Sequence, residues 1–249
     1  RSYPVQNTNV ALASRKDLRD AVVAARAAVK GWSGATAYNR GQILYRVAEM
    51  LEGRRDQFIG LGVPADEVDD AIDRWVWYAG WADKIAQVHG GANPVAGPYF
   101  NLSVPEPTGV VGVVAPADSA LLGLVSVIAP VIVTGNTTVV LVAEAHPLPA
   151  ITLAEVLATS DLPGGVVNLL TGRPTETAPW LAGHMDVNAL DLTGITDPAL
   201  AAELEATAAG TLKRVLRPPV APVDWTADPG IGRMTAFLET KTVWHPKGI

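Results

Sequence analysis

The sequence predicts an α/β protein, with a doubly wound parallel sheet, an N-terminal helical layer and two separated extended pieces. Three observations carry this. The first ninety or so residues repeat apolar side chains at helical spacing. From "VVGVVAP" onward the pattern changes to short β-branched runs, and helix-length segments separate those runs. Strands this apolar, alternating with helices, belong to a parallel sheet covered on both faces.

The elements follow in order. Ser14 precedes "RKDLRDAVVAARAAVK" with Asp17 three places on, an approximate capping box, and Leu18, Val22, Ala25 and Val29 then form one stripe. A second helix is expected from about Arg40 to Gly53, with Ile43, Val47 and Leu51 in register. A third spans "EVDDAIDRWVWYAGWADKIAQV", with Val68, Ile72, Trp75, Ala79, Ala82 and Ala86 on one side. Trp77, Tyr78, Trp81 and Ile85 make a second stripe, so this helix has neighbours on two sides. Strands are expected at "VVGVVAP", "TTVVLVA", "GVVNLLTG", "VNALDLTG" and "TLKRVLR". Helices lie between them at 120–134, 147–159, 175–182 and 198–209. "RPPVAPVDWTADPG" interrupts the alternation, and "RMTAFLETKTVWHP" closes the chain as one more strand.

Composition excludes several classes. The 249 residues suffice for one large domain or two small ones. A net charge of −6 and the lack of any Lys/Arg run argue against nucleic acid. With no cysteine the chain has no disulfide, thiolate metal site or thiol nucleophile of its own. The most apolar run, Leu121 to Val133, contains Pro130 and is too short to span a bilayer. With no visible signal peptide, cytoplasm is the default compartment for the sequence as it begins at Arg1.

Motifs for chemistry are scarce. His89, His146, His184 and His245 lack metal-type spacing, and no nucleophile elbow, Walker loop or G-x-G-x-x-G is present. Asp118 beside Ser119 reads as a turn or helix cap, and Asp69, Asp70 and Asp73 as a solvated helix face. One corner stands out. "LDLTGITDPAL", Leu190 to Leu200, reads as strand end, one-glycine turn and helix start, a geometry that often cradles phosphate.

The residues also carry a resemblance. "DLRDAVVAARAAVKGW", "NRGQILYRVAEMLEGRRDQF", "WYAGWADK", "EPTGVVGVVAP", "IAPVIVTGNTTVV", "SDLPGGVVNLLTG" and "AGTLKRV" resemble the aldehyde dehydrogenase superfamily, in family order. "RKDLRDAV", "ATSDLPGGVVN" and "LETKTVWHP" look closest to the second, noncatalytic repeat of family 16 aldehyde dehydrogenases. The resemblance implies a Rossmann-like cofactor-binding domain from residues 1–91 and 109–217. Residues 92–108 and 218–249 would be the oligomerisation strands and linker.

It also implies losses. "LKRVLRPPV" leads almost directly to the C-terminal strand, so the family's catalytic domain is expected to be absent. Pro218 falls near the family's general-base glutamate, and Asp118 stands at its oxyanion asparagine, where a carboxylate would repel developing negative charge. Leu141 replaces the family's ribose-binding lysine, whereas Glu144 matches a family glutamate. In the corner Thr193, Gly194 and Thr196 match, but Ile195 and Ala199 do not.

The expectation is therefore a noncatalytic subunit with no cofactor of its own and only vestigial contacts at Glu144, Thr193 and Gly194. Its partner would be a full-length catalytic aldehyde dehydrogenase that holds NAD(P), in a hetero-oligomer. Phe237, Leu238, Thr240, Val243 and Trp244 would face that partner, with added area from the helix of Trp75, Trp77 and Trp81. Two other readings compete: an NAD(H) sensor without chemistry, and an enzyme that recruits Asp118, Ser119 or His184.

Overall fold

The computed structural model describes residues 1–6 and 8–248. The chain opens with an antiparallel pair, β1 (Ser2–Val5) and β2 (Thr8–Ala11), where helix alone was expected. "YPV" and "NVA" are too short to carry a period, and the pairing itself holds them. The pair docks through Ala13 N–H, which donates to Thr171 O at 2.9 Å.

Helix α1 (Arg15–Gly34) starts at a complete capping box: the Ser14 side chain meets the Asp17 N–H, and the Asp17 carboxylate accepts the Ser14 N–H at 2.8 Å. Helix α2 (Ala37–Glu52) begins three residues before the expected start because Thr36 caps it. Then come α3 (Arg55–Gly60), α4 (Ala65–Trp81) and α5 (Ile85–Val88). The single long helix expected at 67–88 is thus divided. Beyond Gly80 the backbone tightens into i→i+3 bonds, Ala82 N–H to Ala79 O and Lys84 N–H to Trp81 O, and the ladder stops.

Strands β3 (Gly91–Asn93) and β4 (Tyr99–Pro107) precede the alternating region. That region runs β5 (Val110–Val114), α6 (Leu122–Val133), β6 (Thr137–Leu141), α7 (Pro147–Ala158), β7 (Val167–Leu170), α8 (Pro174–Gly183), β8 (Ala189–Asp191), α9 (Pro198–Ala209) and β9 (Arg214–Leu216). A single turn, α10 (Gly232–Thr235), leads into β10 (Leu238–Pro246).

The five parallel strands lie in the order β7-β6-β5-β8-β9. The chain winds outward from β5 to one side and then returns to lay β8 on the other. The direction therefore switches between β5 and β8. Each face of this sheet has its own core. Trp32, Trp75, Tyr78, Phe58 and the all-buried α6 fill one, and Leu18, Val22, Leu181, Leu190 and Leu204 fill the other. A second sheet of order β10-β4-β3 is antiparallel, with β10 on an edge. No helix among the described residues is long and apolar enough to cross a membrane.

The last segment is not a plain strand. Met234 and Phe237 are fully buried in the larger core, and Phe237 O accepts from Asn136 Nδ2 at 2.9 Å. Residues three apart can face one core only on a helical turn, which is why "RMTAF" coils before β10 extends.

Candidate functional site

In open α/β sheets the crevice at the switch point, beyond the C-terminal strand ends, is where ligands sit. Here that position is a cleft of about 980 Å³ between the β5 and β8 ends. Pro116–Asp118 form one wall, Thr193–Thr196 the floor, and the strap of residues 217–225 the opposite wall.

The floor is built around a buried carboxylate. Asp191 closes β8 at 1% exposure and accepts the Thr193 N–H at 2.9 Å and the Thr193 hydroxyl. Arg233, from α10, sits 2.9 Å from its other oxygen and 3.2 Å from Thr193 Oγ1. Burial pushes the Asp191 carboxyl above its ordinary range, and the Arg233 charge and the Thr193 bonds pull it back. Thr193 is therefore committed inward.

Gly194 is explained by the fold. A Cβ there would overlap Ala115 O and stand 2.7 Å from the Ala115 carbonyl carbon, and the Gly194 N–H donates to Val114 O at 2.9 Å. The glycine lets the β8 turn lie against the end of β5, backbone on backbone. Ile195, at 4% exposure, packs into the core beneath α9. At the start of α9, Asp197 Oδ1 accepts the Ala199 N–H at 2.9 Å, and Pro198 has no N–H. A phosphate approaching this helix end would meet a carboxylate already in place.

The other positions that the resemblance singled out are Leu141, Glu144 and Pro218. Leu141 is 2% exposed and belongs to the core. Glu144, beyond β6, is exposed and pairs with Arg173 at 3.4 Å. Pro218 lines the strap wall, beside the Arg217–Glu205 ion pair at 2.9 Å.

Asp118 lines the cleft wall with one carboxylate oxygen already engaged. Its Oδ1 accepts the indole N–H of Trp225 at 3.0 Å. Arg74 fixes the same strap, donating to Trp225 O at 2.6 Å and Ala227 O at 3.0 Å, and Arg233 lies 5.5 Å over the Trp225 ring. Ser119 is occupied too. It donates to Glu67 Oε1 at 2.7 Å and accepts the Gly123 N–H at 2.7 Å, while Glu67 takes the N–H groups of Leu121 and Leu122. That is a cap on α6, as a serine beside a helix start suggests. His184 caps a turn through Asp186 N–H at 3.2 Å. Asp118, Ser119 and His184 are not brought together.

The expected interface set divides. Phe237 and Leu238 lie in the protein's own core, at 0% and 5% exposure, so they are corrected from interface to core. Thr240, Val243 and Trp244 are exposed on β10, with Trp244 edge-on to Tyr99 at 5.8 Å. On α4, Trp75 is completely buried, and Trp77 and Trp81 are partly buried against the same core. Trp225, Arg233, Arg74 and Asp191 escaped the sequence reading. A lone tryptophan in a Pro-rich stretch was the one available signal.

The comparisons with known proteins agree with this architecture. The Aldehyde dehydrogenase family profile matches residues 5–217. The mitochondrial aldehyde dehydrogenase of Rattus norvegicus is 33% identical over 219 residues, which covers 83% of this chain and 41% of that protein. The cytosolic 1 aldehyde dehydrogenase of Elephantulus edwardii is 34% identical over 216 residues, 82% of this chain and 42% of that one. Among solved structures, the NAD+ complex of a Bacillus cereus aldehyde dehydrogenase superposes with a TM-score of 0.80 at 26% identity, over 86% of this chain and 47% of the other. HpcC of Thermus thermophilus gives 0.77 at 30%, over 86% and 44%. The chain spans less than half the length of these relatives. With the family profile covering most of the sequence, and the switch-point sheet and corner in place, the chain belongs to the aldehyde dehydrogenase family.

Proposed function

We propose that this chain is a noncatalytic, pseudo-repeat-like member of the family that assembles with a full-length catalytic aldehyde dehydrogenase. It stabilises or regulates that partner and leaves NAD(P) to it. The observation that carries the reading is the strap. Residues 217–237 run from β9 directly to β10, and on the way Trp225 is bonded to Asp118 at the mouth of the corner. The chain has no thiol of its own to attack an aldehyde carbon. Asp197 already takes an N–H at the helix end, and Leu141 puts a buried apolar side chain where the resemblance expects a ribose-binding lysine.

β10 supplies the joining surface, as an edge strand open along one side. Native mass spectrometry of the protein isolated from its source is expected to give a mass holding this chain and a complete dehydrogenase. Steady NAD-dependent aldehyde oxidation by the purified chain, free of any co-purifying dehydrogenase, would overturn the reading. The NAD(H) sensor remains the second reading because the cleft of about 980 Å³ still opens at the switch point.

A further inference from the structure

A second cleft lies between the first turn of α1 and the end of α8, over the sheet face whose core holds Leu18 and Leu181. Its volume is about 840 Å³, and Leu18, Pro179, Trp180 and Met185 supply its apolar lining. Two of these are unusually open for their type: Trp180 is 46% exposed and Met185 81%. Neither is needed to cover the core, because Ala178, Leu181 and Ala182 already face it from the same helix. An exposed tryptophan beside an exposed methionine is a composition enriched in protein interfaces.

The rim is cationic. The Arg15 guanidinium carbon lies 4.1 Å from the centre of the Trp180 ring, a cation–π contact that leaves the side chain its charge. Lys16 stands beside it in the lining. Among the described residues, neither Arg15 nor Lys16 forms an ion pair, whereas Arg19 is paired with Asp20 at 2.9 Å. The lining carries Arg15, Lys16 and Arg19 against the single carboxylate of Asp186, so its charge is opposite in sign to the −6 of the chain.

We propose that this cleft binds an acidic segment of a partner protein, which seats one apolar side chain against Trp180 and Met185 and sets its carboxylates against Arg15 and Lys16. Charge complementarity selects the acidic chemistry, and the apolar floor selects a peptide anchor. A nucleic-acid strand fits less well. Its phosphates repeat at every nucleotide and cannot avoid Asp186 in the lining, whereas a peptide can set a few carboxylates on Arg15 and Lys16 and place neutral residues near Asp186. This surface is separate from β10, so the proposal stands or falls independently of the β10 assembly.

The test is fluorescence anisotropy of the full chain. The probes are fluorescein-labelled peptides rich in Asp and Glu, each with one Leu, Phe or Trp. Matched peptides carry Asn and Gln instead, and a single-stranded oligouridylate is included. At least one acidic peptide is expected to bind roughly tenfold tighter than its amide counterpart, a difference that shrinks with added salt. Trp180→Ala and Lys16→Glu are each expected to weaken it by about tenfold or more. Met185→Ser, at an exposed loop position, removes apolar lining without adding charge; it is expected to weaken binding too, in a variant whose folding is not at issue. Equal binding of acidic and amide peptides, unchanged binding in all three variants, or a preference for the oligouridylate would each overturn the proposal.

Discussion

Trp225 donates its indole N–H to Asp118 across 3.0 Å, so a side chain from the strap is fastened to the loop that follows β5. The carboxylate thereby has a partner, and the strap has a fixed seat. Arg74 holds the same stretch from beneath through two carbonyls. Trp225→Phe keeps an aromatic ring and removes the bond. We expect a cost of about 1 kcal/mol, confined to the strap. Hydrogen exchange and limited proteolysis should speed up at 218–231 while the melting temperature barely moves. A large drop in melting temperature would mean that the strap is part of the global core.

The ion pair under the corner gives a pH-dependent prediction. Arg233→Met leaves Asp191 as an unpaired buried charge, which typically costs about 3–5 kcal/mol near neutral pH. Burial already raises this carboxyl in the folded state, and losing Arg233 raises it further. A carboxyl with a raised folded value binds its proton more tightly folded than unfolded, so acid favours the fold at this site. The deficit of the variant against the parent should therefore shrink as pH falls from neutral toward the ordinary carboxylate range. Denaturant melts at several pH values check this. A deficit independent of pH would locate the damage elsewhere. Asp191→Asn combined with Arg233→Met should recover part of the loss.

The corner can be tested from both sides. Gly194→Ala drives a Cβ into Ala115 O, a clash with backbone that no rotamer relieves. It should destabilise the protein strongly, ligand or none, because the glycine serves the β5–β8 contact. Calorimetric titration of the unaltered chain with NAD should show no binding. Micromolar affinity would place the sensor reading first. Restoring polar character with Leu141→Lys and Ile195→Ser is harder than the sequence suggests. Both side chains are buried, so those substitutions should cost several kcal/mol before any contact to a cofactor is gained.

The parallel strands were legible in the sequence because β-branched runs such as "TTVVL" have one reading when helices flank them. The α1 cap was legible because Ser14 and Asp17 act on adjacent backbone. The corner was recognised, but the reason for its glycine was not. Gly194 meets Ala115, a residue far away in sequence, and no local pattern encodes that approach. The Asp191–Arg233 and Asp118–Trp225 pairs also join residues from distant segments. Phe237 and Leu238 read as strand residues free to face a neighbour. Only the helical turn at 232–235 reveals that the chain bends inward first.

That bend changes how the β10 edge must be probed. Deleting Phe237 to His245 would remove core residues along with the strand, so loss of a partner could not be separated from unfolding. The register offers a cleaner route. Thr108 N–H donates to Phe237 O, and Lys247 N–H donates to Pro98 O at 2.8 Å. In an antiparallel ladder, residues two apart point their main-chain groups the same way. The odd-numbered positions of β10 thus bond to β4. The alternation with Pro105 and Pro107, opposite Thr240 and Leu238, agrees. Thr240, Thr242 and Trp244 therefore turn their N–H and C=O groups to the open edge.

Thr242→Pro removes one outward donor and leaves the β4 ladder intact, as proline is tolerated on an edge in that phase. Val243→Pro removes a donor that β4 uses, and should disrupt the small sheet. If a partner strand adds at this edge, Thr242→Pro should abolish co-elution on size exclusion without altering the circular dichroism melt. Retained co-elution with Thr242→Pro would show that the partner is held by another surface.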